Sequence, residues 1–277
     1  MSGQLAVHGA RRETFELDGQ LIAALQTGLD DGIPVLLVPG YTGSKEDFAP
    51  ILQLLAEAGL LVTAIDLPGQ FESPGLRVAA DYTPDTLAAT VRAVARALGG
   101  TVGLLGHSFG GLVSRAAVIA EPTIFDSLVL LSSGPAHLGG ARRMSMDGLE
   151  PVLAASGLPG VYAAMQAAAL GEPRFVVPPD ELAEFLERRF LGGSPDMLQG
   201  MADALRREPD RVTELAATGV RALVTHGVDD DAWPADVQAD MARRLGAQYA
   251  VIGGAAHSAA VENPSALVDV LVEFWAS

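Results

Sequence analysis

The sequence contains no cysteine in its 277 residues. Disulfide bonds, thiolate metal ligands and a cysteine nucleophile are therefore excluded. Aromatic residues make up only 5% of the chain, whereas hydrophobic residues make up 49%. This composition predicts a sizeable core built mainly from aliphatic side chains, and it excludes a disordered chain.

Positive charge is also scarce. The 18 Lys and Arg residues are outnumbered by 34 Asp and Glu residues, which gives a net charge of -16, and Lys45 is the only lysine. An acidic surface repels phosphate backbones and anionic lipid headgroups, so we expect neither a nucleic acid nor a membrane as a partner. The expected partner is a small-molecule substrate.

Several motifs that would hold a metal ion or a cofactor are missing. The five histidines have no paired spacing such as H-E-x-x-H, and neither a G-x-G-x-x-G fingerprint nor a P-loop is present. We therefore expect no metal ion and no cofactor.

Long apolar runs are missing as well. The chain does not open on a run of signal-peptide length, and no stretch reaches the about 18 uninterrupted apolar residues that a membrane span needs. A cytoplasmic location is the default expectation.

What the chain does contain is an alternation of apolar runs with amphipathic segments. This alternation predicts the α/β class, with a mostly parallel sheet that is covered by helices on both faces. Two short strands around the Asp18-Gly19 turn predict an additional antiparallel edge. The predicted strands lie at residues 14–17, 21–27, 34–40, 60–69, 101–107, 127–133, 222–227 and 247–254.

The alternation stops between residues 137 and 219. Leu, Ala and Met recur there at helical spacing, interrupted by the turn sequences SGLPG, VVPPD and GGSPD. We predict that residues 1–136 and 220–277 form an α/β core, and that residues 137–219 form a helical cap inserted into it.

The strongest chemical motif is Gly106-His107-Ser108-Phe109-Gly110, which fits G-x-S-x-G between a predicted strand and a predicted helix. A nucleophile on such a tight turn needs glycines beside it, because side chains there would clash. The turn also directs the amides of the helix N-terminus at the reacting oxygen. The motif predicts that Ser108 is a nucleophile.

A serine nucleophile needs a base, and the base needs an acid that orients it. With the chain order Ser, acid, His, only His257 fits as the base, since it follows the last predicted strand in a small-residue loop. Three consecutive residues, Asp229, Asp230 and Asp231, are candidates for the acid that orients the base. The loop after the strand at 127–133 offers no carboxylate.

An oxyanion hole needs two backbone donors. The N–H of Phe109, directly after the nucleophile, is one candidate. The N–H of Tyr41 is the other, because it lies in the loop after the strand at 34–40, where Gly40 and Gly43 allow a close backbone approach. The Tyr41 phenol is a weaker candidate for a substrate contact.

Taken in order, these segments resemble the α/β-hydrolase superfamily over essentially the whole chain. The matching landmarks are PGYTGSKEDFAPIL, AIDLPGQFES, GHSFGG, HGVDDDAWP and GGAAHSAAVENP. The fourth resembles HG-x-x-D-x-x-x-P, which selects Asp230 as the acid. The chain departs from the family at Pro39, where many members carry His, and at Gln70, Phe71 and Glu72, where the family has its second glycine.

The resemblance implies an α/β-hydrolase fold with a helical cap and cofactor-independent acyl transfer. We expect a carboxylic ester, lactone or thioester hydrolase for a small or medium apolar substrate. Two alternatives remain. One uses the same three residues, Ser108, Asp230 and His257, to cleave a carbon–carbon bond, and the other is a non-catalytic small-ligand receptor.

Arginines that hold a substrate carboxylate would favour carbon–carbon cleavage. The candidates are Arg115, Arg142, Arg143 and Arg174. A further set of cap side chains fits either an apolar acyl pocket or packing within the cap: Leu149, Val152, Leu153, Leu158, Val161, Tyr162, Met165 and Leu170.

Overall fold

A computed structural model of the protein describes residues 3–6, 8–171 and 175–276. Within these ranges, eight strands form one sheet in the order β1-β2-β4-β3-β5-β6-β7-β8. The strands are β1 (Arg11–Leu17), β2 (Gln20–Thr27), β3 (Ile33–Val38), β4 (Leu60–Ile65), β5 (Val102–His107), β6 (Phe125–Leu131), β7 (Arg221–Gly227) and β8 (Gln248–Ile252).

The six strands from β3 to β8 are mutually parallel, whereas β2 pairs antiparallel with both β1 and β4. The predicted α/β class, with its mostly parallel sheet and antiparallel edge, is thus confirmed. Because the carboxyl ends of the parallel strands meet at one edge, the loops that follow β3, β5, β7 and β8 lie close together there.

Helices cover both faces of the sheet. Those of the described residues are α1 (Ala49–Glu57), α2 (Pro84–Leu98), α3 (Phe109–Ala120), α4 (Gly140–Leu170), α5 (Asp180–Leu191), α6 (Pro195–Arg207), α7 (Val212–Ala216), α8 (Ala235–Leu245), α9 (Ala259–Glu262) and α10 (Pro264–Ala276), with short 3-10 helices at Gly3–Leu5, Lys45–Phe48, Ala79–Asp81 and Pro122–Ile124.

The side chains of β3 illustrate how the sheet separates two core layers. Leu36 and Val38 pack into the layer formed with α2, α3 and α8. The alternate residues Val35 and Leu37 pack into the layer formed with α1, α9 and α10. A strand that is buried on both faces must be apolar at every position, which is why these runs do not alternate with polar residues.

In the described part of the chain between β6 and β7, where the sequence predicted a helical insertion, there are four helices, α4 to α7. Among the described residues, α4 is the one helix that is long and apolar enough to span a membrane by length and composition. Its backbone departs from helical geometry at Gly157, with φ 60° and ψ -163°, and Leu158 and Val161 beyond that point pack against Leu198 of α6. The division into core and cap, and the cytoplasmic location, stay predictions.

Candidate active site

Ser108 lies at the tip of the turn between β5 and α3, with φ 55° and ψ -120°. This is left-handed backbone that a non-glycine residue rarely adopts. The turn closes tightly, because a Cβ on Gly106 would lie 2.4 Å from the carbonyl oxygen of Gly110, and a Cβ on Gly110 would lie 2.4 Å from that of Val38. Both motif glycines are therefore required by packing.

Three side chains form a continuous hydrogen-bond chain at this turn. Nε2 of His257 lies 3.0 Å from Oγ of Ser108, and Nδ1 of His257 lies 2.8 Å from Oδ1 of Asp230. Because a carboxylate only accepts hydrogen bonds, Nδ1 carries the proton, and Nε2 accepts a hydrogen bond from the serine hydroxyl. The structure thus brings together the three residues predicted as nucleophile, base and acid.

The Asp230 carboxylate is held from several directions. Its side chain is fully buried, and it accepts hydrogen bonds from the Ala232 N–H at 3.0 Å and from Nε2 of Gln238 at 3.2 Å. Burial by itself raises the pKa of Asp230, but His257 and these two donors outweigh it and lower the pKa to about 2. The carboxylate is therefore ionised at neutral pH. Gln238, on α8, was not singled out from the sequence, since nothing in its surroundings there marks it.

The two neighbouring aspartates point elsewhere. Asp229 and Asp231 are exposed, and Asp231 forms an ion pair with Arg142 at 2.7 Å. The contact to Nδ1 of His257 is made by Asp230. Of the three aspartates that the sequence offered, Asp230 is therefore the one whose side chain lies against His257.

His107, beside the nucleophile, contacts the catalytic-base candidate through the backbone. Its Nε2 donates to the carbonyl oxygen of His257 over 2.8 Å, and the two rings lie 4.9 Å apart between centroids. Burial, with a smaller effect from His257, lowers the pKa of His107 to about 4. A neutral ring therefore tethers the loop that carries His257. His226, in contrast, is buried in β7, where it lies 2.8 Å from the Tyr249 hydroxyl.

The two predicted oxyanion donors flank Ser108. Among the described residues, neither the Tyr41 N–H nor the Phe109 N–H has a hydrogen-bond partner. The oxyanion loop (residues 39–44) runs against the nucleophile, because a Cβ on Gly40 would lie 3.2 Å from that of Ser108. Two free amides beside a serine can bind the negative oxygen that forms during acyl transfer.

The Tyr41 phenol is committed to a structural contact. It donates to the carbonyl oxygen of Leu198, on α6, over 2.9 Å. Burial raises the pKa of this phenol, so it remains a donor. The hydroxyl therefore connects the oxyanion loop to the inserted helices, and the predicted substrate contact would require breaking this bond.

Comparison with known proteins identifies the family of this chain. A model of the alpha/beta hydrolase family matches residues 35–270, which include the turn at Ser108, Asp230 and His257. The chain belongs to the alpha/beta hydrolase family. Like the members of that family it resembles, it is an enzyme and a hydrolase.

The relatives of this alpha/beta hydrolase carry several substrate names. It is 28% identical over 254 residues to a provisionally named carbamate hydrolase, RutD, of Pantoea ananatis (strain LMG 20103), covering 88% of each chain. Its structure is similar to a carboxylesterase of the thaumarchaeon Nitrososphaera gargenis, with a TM-score of 0.81, 22% identity, and 95% and 98% of the two chains covered. An enol-lactonase of Burkholderia xenovorans LB400 gives a TM-score of 0.78 at 18% identity, with 96% of this chain and 100% of that chain covered.

Apolar side chains of the inserted helices gather above the oxyanion loop of this hydrolase. Leu158, Val161 and Leu198 are buried there, and Tyr41 packs against them together with Leu149, Val152, Leu153, Met165 and Phe190. Leu170, which was predicted to belong to this group, is instead 69% exposed at the end of α4. Leu170 follows Met165 by five residues, which at about 100° per residue places it on a different face of α4 from Met165.

The arginines considered as carboxylate binders are already paired. Arg115 is buried against Glu208 at 2.5 Å, Arg142 pairs with Asp231 at 2.7 Å, and Arg143 pairs with Asp147 at 2.8 Å. Arg174 lies outside the described residues. These pairings leave the first three arginines without a free guanidinium for a substrate carboxylate.

No group of three or more His, Asp or Glu side chains that could hold a metal ion occurs within residues 3–6, 8–171 and 175–276.

Proposed function

We propose that this hydrolase cleaves carboxylic esters, lactones or thioesters of small or medium apolar substrates through an acyl-enzyme on Ser108. The observation that carries the proposal is the hydrogen-bond chain from Ser108 through His257 to Asp230, with distances of 3.0 and 2.8 Å. A serine hydroxyl needs such a base to become a nucleophile at neutral pH, and the base needs an acceptor that holds its tautomer.

The reaction proceeds in two halves. Nε2 of His257 takes the hydroxyl proton while Oγ of Ser108 bonds to the carbonyl carbon, and the N–H groups of Tyr41 and Phe109 bind the resulting oxyanion. The carbonyl re-forms as the leaving oxygen or sulfur departs with the proton from His257. Water then gives a proton to His257, attacks the acyl carbon and releases the acid, after which Ser108 regains its proton.

The apolar preference is supported by the side chains beside the oxyanion loop. A cavity of about 20 Å³ lies between α4 and α6, lined by Tyr41, Leu149, Leu153 and Leu198 among others. It has room for about one water molecule, and Ser108 and His257 do not line it. An acyl group that entered this cavity would require α4 and α6 to separate, so we expect activity to depend on chain length.

A carbamate is the second candidate substrate, on one observation. RutD, to which this chain is 28% identical over 88% of both chains, is named for carbamate hydrolysis. A carbamate carbonyl would meet the same nucleophile and the same oxyanion donors, so the triad chemistry is unchanged.

The test is hydrolysis of p-nitrophenyl esters from acetate to decanoate, with a p-nitrophenyl carbamate in parallel, by the wild type and by Ser108→Ala. Loss of a nucleophile removes several orders of magnitude in kcat, so we expect Ser108→Ala to lose ester turnover and labelling by a fluorophosphonate. Retained turnover in Ser108→Ala would exclude Ser108 as the nucleophile. A carbamate turned over faster than every ester would move the assignment to the carbamate.

Carbon–carbon cleavage is distinguished by product analysis. A dienoic ketoacid would be incubated with the wild type. Cleavage of its carbon–carbon bond into two fragments, in the absence of ester turnover, would favour carbon–carbon hydrolysis over ester hydrolysis. The paired state of Arg115, Arg142 and Arg143 argues against it.

A further inference from the structure

Gln70 is a buried polar residue that the acyl-transfer steps do not use. It lies in the turn after β4, at one of the positions where the sequence departs from the family pattern, and it is 1% exposed. A fully buried amide must find partners for both of its ends, because an unsatisfied one costs about 1–3 kcal/mol. The hydrogen-bond partners of Gln70 therefore indicate its role.

Both ends of the Gln70 amide are bonded to backbone. Oε1 accepts the N–H of Leu67 over 2.9 Å, and Nε2 donates to the carbonyl oxygen of Gly40 over 2.6 Å. An N–H requires an oxygen acceptor and a carbonyl requires a nitrogen donor, so these partners allow only one orientation of the amide. The side chain thus joins the turn after β4 to the oxyanion loop after β3.

The carbonyl that Gln70 binds shares a peptide unit with the proposed oxyanion donor. The Gly40 carbonyl and the Tyr41 N–H lie in one plane, and no cis peptide occurs among the described residues, so the two groups point in opposite directions. A donor that holds the carbonyl on one side therefore fixes the direction of the N–H on the other. It also polarises the peptide, which makes the N–H a better donor.

We propose that Gln70 is a positioning residue that orients the Gly40–Tyr41 peptide unit as one half of the oxyanion hole. This rests on the proposed function, because an oxyanion forms only if Ser108 attacks a carbonyl.

The turn that carries Gln70 is itself held in place. The Gln70 N–H donates to the Leu67 carbonyl over 2.9 Å, and the Ser73 N–H donates to the Gln70 carbonyl over 2.8 Å. Behind the turn, Nζ of the buried Lys45 lies 2.8 Å from Asp66 and 2.7 Å from Glu72. A rigid support is what a positioning residue needs, since a site that is loose by about 1 Å loses much of its electrostatic benefit.

The Gly40 carbonyl has a second donor, which limits the expected effect. The Gly43 N–H lies 3.1 Å from the same oxygen. Removing an oxyanion donor outright lowers kcat by about 10²–10³-fold. Removing only one of two groups that orient the donor leaves it in place but less well aimed, so we expect a loss of about tenfold in kcat.

The experiment compares Gln70→Met and Gln70→Glu with the wild type on a p-nitrophenyl ester and on its thiono analogue, in which sulfur replaces the carbonyl oxygen. Gln70→Met removes the donor to Gly40, and Gln70→Glu removes it while the carboxylate is ionised and keeps an acceptor for Leu67. Sulfur is a poor acceptor, so an oriented oxyanion hole favours the oxygen ester. We expect each variant to lower kcat on the oxygen ester about tenfold with KM nearly constant, and to lower it less on the thionoester, so that the ratio of the two rates falls.

Gln26→Met is the matched control, because Gln26 is a buried glutamine of β2 whose Nε2 donates to Oγ1 of Thr63 instead of to the oxyanion loop. Its oxygen-to-sulfur rate ratio should equal that of the wild type. An unchanged ratio in both Gln70 variants would overturn the inference even if kcat fell, since a merely structural role slows both substrates alike. If Ser108→Ala retained activity, the proposed function would fall, and the inference with it.

Discussion

Oδ1 of Asp230 lies 2.8 Å from Nδ1 of His257, across 27 residues of sequence and two different loops of the sheet edge. The same carboxylate is fully buried, whereas the aspartates on either side of it are exposed. The position of one carboxylate among three adjacent ones thus depends on the turn that follows β7.

We predict that Asp230→Asn lowers kcat by about 10⁴-fold, because an amide can donate to Nδ1 and so favours the wrong tautomer of His257. Asp229→Asn and Asp231→Asn are the matched controls and should retain wild-type kcat, since both side chains face solvent. Steady-state kinetics on a p-nitrophenyl ester measure all three. A loss in Asp229→Asn equal to that in Asp230→Asn would contradict the assignment of the acid.

Replacement of Gly110 by alanine should destabilise the fold by about 1–3 kcal/mol, because the new methyl group meets backbone that cannot move aside. The nearest atoms, the carbonyl oxygens of Val38 and Pro39, both lie 2.4 Å from the ideal Cβ position. Gly148→Ala is the control: its Cβ has nothing within 4 Å, and alanine should stabilise α4 by about 0.5–1 kcal/mol. Urea unfolding gives both values, and equal midpoints for the two variants would refute the prediction.

Lys45→Met should lower the free energy of unfolding by about 3–5 kcal/mol, because it leaves buried carboxylates without their cation. Nζ of this lysine lies within 2.9 Å of oxygens of Glu46, Asp66 and Glu72, and the lysine side chain is 1% exposed. Arg142→Met, which removes an exposed ion pair, should cost about 0–1 kcal/mol.

The same variant should respond to pH in a defined direction. Without Lys45 the buried carboxylates favour their protonated forms in the folded state, so the deficit relative to the wild type should shrink as the pH is lowered from 8 to 5. Thermal or urea unfolding across this range measures it, and a deficit that grows with acidity would show that the carboxylates are compensated by other groups.

Because of His107, the free energy of unfolding should decrease as the pH is lowered into the mildly acidic range. The pKa of His107 is lowered from 6.5 in the unfolded chain to about 4 in the folded protein, chiefly by burial. Because the folded form binds the proton more weakly, the stability contribution is fully present above pH 6.5 and is lost as the pH falls toward 4. The difference in unfolding free energy between the wild type and His107→Gln should therefore change through this window and be constant above it. A difference that stays constant from pH 8 to 4.5 would contradict the lowered pKa.

Much of the fold and part of the site follow from local sequence. The G-x-S-x-G turn occupies five consecutive residues, and its geometry depends on glycines that are next to the nucleophile in the chain. Continuous apolar runs indicate strands that are buried on both faces. The alternation of these runs with amphipathic segments ends after β6, which indicates the helical insertion. The prediction for Leu170 was wrong, because a spacing of five residues from Met165 does not keep a side chain on the same face of a helix.

The remaining relationships could not be predicted from spacing. The order of residues left three aspartates as candidates for the acid. A family resemblance was needed to choose Asp230, and the structure places this residue against His257. No local signal pairs Gln70 with Gly40, Tyr41 with Leu198, or Lys45 with Glu72.

The sequence by itself determined the α/β class, the turn that presents Ser108 and the loop that holds His257, because each depends on the conformational preferences and polarity of neighbouring residues. Only the tertiary structure decided which distant groups meet. The strand order places the loops after β3, β4, β5, β7 and β8 side by side although up to 149 residues separate their contacts. Hydrogen bonds between such loops depend on distances of a few tenths of an ångström, which only the packed sheet establishes.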